Sequence, residues 1–446
     1  MSQASGVTAP AHPPGLEPAP GTVPSPLIYR RFDDGLETIL WPDRGNPRAA
    51  LYVVYTVGSR LELPRPTGLA HFLEHMMFNG STGFPDDAFD RILEDLGGSN
   101  NAYTSEEVTV YQDLVPAGAI GRVLELEADR RQNLLIDPMR VERERGVILS
   151  ERHASIDNDP VARFLEDVQS VACAGTSYAS PVIGWRDDIL RIDARLLREF
   201  YAEHYQSGRV ALVGVGGIDP DDWHRLIEAH WRSAPGRVVP EALACRGPHA
   251  SFGERRIAGR GELVAPYLVM GFPAPQASDP GALPHELLWT LLVGGVASRL
   301  YATLIEGKSL ALDLGTFRVG RIVPGRMFLG VTVSPRRRVA SVERLIRVEL
   351  ERIAEQGPTE AERGRVQNQC LAAHAYRLES VAHRAELLGR ALVIQRDPGA
   401  LAEYPLRLGA VTCEDIRMAA RVAFGSGGWT VGTLHPEGAT GSGGSR

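Results

Sequence analysis

The chain has 446 residues, of which 43% are hydrophobic and 23% charged, and a net charge of −7. That balance describes an ordinary soluble globular protein, long enough for two or more cores. It argues against nucleic acid as a partner, and no stretch approaches the roughly 18 apolar residues that span a membrane. Of the 48 basic residues only Lys308 is a lysine. This arginine bias points to a GC-rich, bacterial coding genome and is silent on mechanism. Cys173, Cys245, Cys370 and Cys413 are far apart and show no metal or redox spacing, so buried free thiols are expected.

Residues 1–26 hold seven prolines and little that is apolar, which predicts a disordered or surface-laid arm. The arm lacks the basic start and apolar run of a secretion signal, so a cytoplasmic location is the expectation. A first domain is expected over 27–233. Within it, 36–41 and 49–57 read as strands, followed by a helix over 68–80. A second helix opens at Asp86 and stops at Gly97-Gly98. Strands are predicted at 99–104 and 108–115, helices at 117–134, 138–157, 159–174 and 194–204, a strand at 209–216 and a helix at 219–231.

Residues 234–253, with three prolines and no apolar period, form the predicted linker. A second domain over 254–436 then repeats the pattern. Its strand at 263–272 parallels 49–57, the helical run 283–304 parallels the first helix, and strands at 311–319 and 327–333 answer 99–104 and 108–115. A final strand covers 429–434, and 437–446 is expected to be a flexible tail. The predicted fold class is α+β, two similar domains each with a mostly antiparallel sheet packed with helices.

The helix over 68–80 reads G-L-A-H-F-L-E-H-M-M-F-N-G, with Thr67 as its expected cap and Gly80 as its stop. His71 and His75 are one turn apart on one face, the separation at which two imidazoles grip one metal ion. Glu74 projects toward the same region. H-x-x-E-H is the inverse of the H-E-x-x-H zinc helix, and the chemistry needs the same parts in either order. Two neutral nitrogens hold Zn²⁺, while Glu74 takes a proton from water beside it. A histidine pair on a helix is more often packed or solvated, so a third donor must be found. Downstream, E-R-G-V-I-L-S-E-R-H puts Glu144 and Glu151 seven residues apart on one helix face.

Together H-F-L-E-H, G-G-S-N-N-A-Y-T and E-R-G-V-I-L-S-E resemble the pitrilysin-type (inverzincin) zinc metallopeptidases, most strongly over residues 50–155. In size the chain matches the processing-peptidase-like bacterial members. The resemblance implies one zinc per chain, with Glu151 as third ligand, Glu144 orienting a ligand, and two domains facing each other as a half clamshell. It also implies that Asn100, Asn101, Ala102 and Tyr103 belong to an edge strand to which a peptide substrate pairs through its backbone.

The second half has no H-x-x-E-H, and His285, His374 and His383 are expected to pack or face solvent. Self-sufficient members of the family carry there an arginine and, seven residues later, a tyrosine that bind substrate and steady the oxyanion. In G-G-V-A-S-R-L-Y-A-T-L-I-E-G-K-S-L-A-L, residues 294–312, Ile305 and Leu312 stand at those places, while Arg299 and Tyr301 have the wrong spacing. Two function classes follow. One is a zinc endopeptidase subunit that works as a heterodimer with a homologous chain supplying the arginine–tyrosine pair. The other is a non-catalytic scaffold subunit, which has no physical need of an open metal site.

Overall fold

The computed structural model describes residues 27–231, 253–335, 337–425 and 427–437. The predicted proline-rich arm, all of the 234–253 linker but its last residue, and the tail beyond 437 lie outside these described residues. The first half runs β1 (Ile28–Arg31), β2 (Glu37–Pro42), β3 (Arg48–Tyr55), α1 (Leu69–Met76), α2 (Ala88–Asp95), β4 (Ser99–Thr104) and β5 (Thr109–Pro116). It continues with α3 (Ile120–Gln132), α4 (Pro138–Arg152), α5 (Pro160–Ala172), α6 (Arg186–Ile189), α7 (Ala194–His204), β6 (Val210–Gly216) and α8 (Pro220–His230). The second half opens with β7 (Arg255–Gly261), β8 (Tyr267–Ala274), α9 (Ala282–Val293), α10 (Arg299–Tyr301), β9 (Ala311–Val319) and β10 (Gly325–Val333). It closes with α11 (Val339–Gln356), α12 (Glu360–Leu378), α13 (Val381–Val393), α14 (Ala400–Gly409), α15 (Cys413–Gly425) and β11 (Thr430–Pro436).

The predicted repeat of pattern is a repeat of topology. The first sheet has the order β1-β2-β6-β3-β5-β4 and the second β7-β11-β8-β10-β9. Without β1 the two orders coincide strand for strand. In each, one pair is parallel (β2 with β6, β7 with β11) and the others are antiparallel. Sequence reasoning missed β1 and β7, short strands in which exposed charged residues blur the apolar signal. The helical run expected over 283–304 is broken, because Gly294-Gly295 ends α9 and α10 is a separate short helix.

Central strands alternate between two apolar surfaces. On β3, Leu51, Val53 and Tyr55 enter one core with α1 and α3, while Ala50, Tyr52 and Val54 enter another. That second core is closed by a helix from the other half: Val381, Ala385, Leu388 and Leu392 of α13 pack on it. The exchange is mutual. Phe164, Val168 and Ala172 of α5, a first-half helix, pack on Val269, Phe328 and Leu434 of the second sheet. Fully burying a Leu, Val or Phe is worth about 1.5–3 kcal/mol, so the halves are held by covers they lend each other. Glu107 adds a polar tie: its Oε1 accepts from Tyr178 Oη at 2.6 Å and from the backbone N–H of Arg321 and Ile322 at 2.7 and 2.5 Å.

Candidate metal centre

Helix α1 buries Leu69, Phe72, Leu73 and Met76 in the first core and turns His71 and His75 toward α4. Its start differs from the expected one. Thr67 does not cap it; its Oγ1 donates to Asp188 at 2.7 Å and accepts from Trp185 N–H at 2.9 Å. The free N–H groups of Gly68 and Ala70 instead donate to the fully buried Glu62 carboxylate at 2.8 and 2.9 Å. Gly68 has φ +92°, and a Cβ there would lie 2.6 Å from Ile183 O, so only glycine lets the chain turn into the helix. The helix ends at Met76 rather than Gly80, after two turns that suffice to present both histidines.

Helix α4 begins with Asp137, which accepts from the N–H groups of Met139 and Arg140, and Pro138 fills its first turn. The expected span to 157 divides: α4 ends at Arg152, and residues His153–Asp157 widen into a π turn just after Glu151. Glu151 reaches both histidines, with Oε1 3.7 Å from His71 Nε2 and Oε2 3.3 Å from His75 Nε2. Ligand atoms of His71, His75 and Glu151 lie within 4.8 Å of one another, a grouping found nowhere else among the described residues. Glu144 takes the other side of His75, 2.8 Å from Nδ1, and its second oxygen accepts from Asn79 Nδ2 at 2.8 Å. Arg143 in turn donates to Asn79 Oδ1 at 2.7 Å. His75 is therefore fixed with Nε2 facing the convergence point, whereas His71 Nδ1 is buried without a partner among the described residues.

Charges are distributed to match. Burial, helped by the neighbouring His75, pushes His71 down to about 4. Burial also opposes charge on His75, but Glu144 and Glu151 outweigh it and lift that ring to about 9. The His75 contact holds Glu151 below the usual carboxylate range. Two nitrogens and a carboxylate, one proton between them, are a donor set that a divalent cation fits by displacing that proton.

Glu74 lies beside this set, nine-tenths buried, with Oε2 accepting from Thr104 Oγ1 at 2.6 Å. Burial raises its pKa, and the Thr104 bond partly offsets this. Thr104 closes β4, the outer strand of its sheet, which pairs on one side with β5. Asn100, Asn101, Ala102 and Tyr103 all lie on β4, but not alike. Asn100 Nδ2 donates to Asp90 at 2.6 Å, Asn101 is exposed, Ala102 packs on the α1 side and Tyr103 on the α13 side. Glu62 and Asn79 were not predicted, nor was the bond by which Thr104 of the edge strand holds Glu74. Thr104 ends the quoted G-G-S-N-N-A-Y-T run, and Asn79 follows His75 by four, so both carried a positional signal. Glu62 carried none.

In the second half, Ile305 packs on the core while Leu312 is 58% exposed at the start of β9. Arg299 is committed to Glu362 and Glu349 at 2.7 and 3.0 Å. Cys173 and Cys370 are buried thiols and Cys413 is half-buried.

Two family models match the chain, and their boundary falls within its first half. Residues 38–185 match the family model described as insulinase (peptidase family M16), and 191–370 match the peptidase M16 inactive domain. The chain is 27% identical over 384 residues to an uncharacterized zinc protease of Streptomyces coelicolor, covering 85% of this chain and 83% of that one. It is 28% identical to the mitochondrial-processing peptidase subunit beta of Lentinula edodes, covering 84% and 82%. In fold it is similar to the crystal structure of a protease from Helicobacter pylori, with TM-score 0.85 and 23% identity over 92% of this chain and 99% of that one. With two models of one family matched in succession along 38–370, the protein belongs to the insulinase-type, pitrilysin-like M16 family of peptidases.

Proposed function

We propose that the chain is a zinc endopeptidase subunit that holds peptides extended along β4 and cuts them beside His71, His75 and Glu151. The convergence of three donor atoms next to Glu74, whose carboxylate accepts from Thr104 at the end of the edge strand, carries the reading. A zinc ion bound there supplies Lewis acidity, polarising the scissile carbonyl and acidifying water. Glu74 supplies the proton traffic: its carboxylate takes a proton from water and returns it to the leaving nitrogen. Its raised pKa suits a group that must hold the proton between those events. Thr104 keeps one carboxylate oxygen aimed, and Glu144 keeps His75 in one tautomer. The outward N–H and C=O groups of β4 would orient the peptide with little sequence demand.

The chain is proposed to work beside a homologous chain. Neither Ile305 nor Leu312 can donate a hydrogen bond to a developing oxyanion, and a missing donor of that kind costs about 10²–10³ in rate. The Lentinula relative is likewise named as one subunit.

Metal analysis and a mixed-peptide assay, with and without a co-encoded homologue, test both statements. Purified chain is expected to carry one zinc, lost in Glu151→Gln. In Glu74→Gln zinc stays while hydrolysis falls ~10²–10⁴-fold. A metal-free wild-type chain would favour the scaffold instead, and strong hydrolysis by the lone chain, unchanged on adding the homologue, would remove the partner.

A further inference from the structure

At β4 the face of the first sheet that α13 covers meets a group of arginines. Tyr103 points to that face, one residue before Thr104, which holds Glu74 on the other. Glu386 and Arg390 of α13 and Arg321 of the β9–β10 turn act on Tyr103, with Arg318 of β9 and Arg377 of α12 beside them. Between strand and helix lies a hollow lined in part by Tyr52, Tyr103, Glu386 and Arg390.

Other sheltered arginines of this chain grip carboxylates: Arg152 holds Glu166 at 2.8 Å, Arg299 holds Glu362 at 2.7 Å and Arg384 holds Asp43 at 2.9 Å. Near Tyr103 such pairing is missing. Among the described residues no carboxylate lies within 4.0 Å of the Arg318 or Arg321 guanidinium, although Glu107 accepts from the Arg321 backbone. Arg390 reaches only Glu386, at 4.0 Å, and Arg377 holds that carboxylate more closely at 3.3 Å. The other acids around them are engaged elsewhere or held back from charge by burial. Glu107 accepts from Tyr178 and two backbone N–H groups, Glu286 accepts from Tyr404 Oη at 2.8 Å, and burial drives Glu106 toward its protonated form. Arg318 itself donates to the carbonyls of Gly320 and Pro275. Burial, with like charges beside them, holds the Arg318, Arg321 and Arg390 guanidiniums below their ordinary range. Yet 36% of the Arg390 side chain remains accessible. Arg390, desolvated yet reachable, lines that hollow, and charge left without a close partner in such a place is costly unless a ligand completes it.

We propose that Arg321 and Arg390, together with Tyr103, form a subsite for a carboxylate of the peptide lying on β4. The proposal rests on the reading of β4 as the substrate edge. An extended peptide shows alternate side chains to the two faces, so residues between those approaching Glu74 face Tyr103 and the arginines. The carboxylate comes from an Asp or Glu side chain or from the peptide's own C-terminus, and both offer the same two acceptor oxygens.

Binding is measured apart from cleavage, by fluorescence anisotropy of the full-length Glu74→Gln chain. Three labelled ten-residue peptides serve as probes: one with a central Glu and an amidated end, its Gln counterpart, and the Gln counterpart with a free C-terminal carboxylate. The Glu peptide, the free-carboxylate peptide or both are expected to bind about tenfold tighter than the amidated Gln peptide, and which one does identifies the source. Adding Arg321→Gln or Arg390→Gln should bring that ratio close to one. Arg321 lies in a turn and its side chain makes no hydrogen bond or ion pair among the described residues, so its substitution tests recognition rather than folding; a melting curve checks this. Equal affinity for the three peptides, or a preference that survives Arg321→Gln, overturns the subsite and leaves the peptidase reading standing. Failure of all three to bind overturns the subsite and the edge-strand reading together. Selective binding by a chain whose Glu74 form, supplied with the co-encoded homologue, cuts nothing upholds the subsite while the peptidase reading falls.

Discussion

Helices α1 and α4 in the first half correspond by chain order to α9 and α12 in the second, each pair following equivalent strands of sheets with one topology. Polar residues face across both pairs. In the first, two histidines one turn apart meet two glutamates two turns apart, and three of the four converge on a point. In the second, the polar groups turn to neighbours. Trp289 Nε1 donates to His285 Nε2 at 3.1 Å, and Glu286 accepts from Tyr404, whose ring stacks on His374 at 4.6 Å. Gln367, seven residues before His374 as Glu144 is before Glu151, spends its amide on the carbonyls of Leu408 and Val411 at 2.9 and 3.1 Å. The same scaffold thus yields a metal centre or a packed polar seam. Which one results depends on whether the facing groups find partners inside the domain or are left aimed at one another.

Three changes break or sharpen that contrast. Glu144→Gln keeps the shape of the α4 side chain but removes the anion that holds His75 Nδ1, and zinc affinity is expected to fall about 10–100-fold. Chelator competition measures it, and unchanged affinity would mean that Asn79 and the helix alone orient His75.

The helix starts differ as well: α1 has Glu62, whereas α9 begins at Gly281 with no side-chain cap. Burial lifts Glu62 from 4.5 to about 8, against the pull of its backbone donors. Between those values the folded chain keeps a proton that the unfolded chain releases. The stability this contributes is present in full below 4.5 and lost as pH rises through about 8. A fall in melting temperature of roughly 2–5 °C from pH 6 to pH 8.5 is expected, and Glu62→Gln should flatten it. An equal fall in the variant would assign the pH dependence to other groups.

The smallest effect concerns the second seam. His374→Ala removes one stacked ring, and zinc content and hydrolysis should remain at the wild-type level. Loss of zinc in that variant would show that the two helix pairs are not as separate as their contacts indicate.

Much of this was legible in the residues. Runs of β-branched and aromatic residues marked the central strands because both of their faces are buried, and H-x-x-E-H with Glu144 and Glu151 marked the metal donors because helix periodicity brings such spacings to one side. What stayed hidden depended on contacts distant in sequence. Thr67 has the chemistry of a cap, yet Asp188 claims its hydroxyl across 121 positions. The amphipathic stripes of α5 and α13 announce helices that pack on something, without saying that the surface belongs to the other half. The arginines around Tyr103 come from β9, a turn, α12 and α13, and no spacing connects them.

The exchange of α5 and α13 also sets the order of events at the ribosome. The strands of the first sheet are complete once residue 216 has been made, but α13 ends at residue 393, which is 177 residues later. At bacterial-to-eukaryotic elongation speeds that interval is ~10–35 s. Throughout it Ile39, Trp41, Tyr52, Val54, Val213 and Val215 have no cover of their own. The nascent chain, rather than the finished one, is therefore the form most exposed to aggregation, and the one with greatest need of a chaperone.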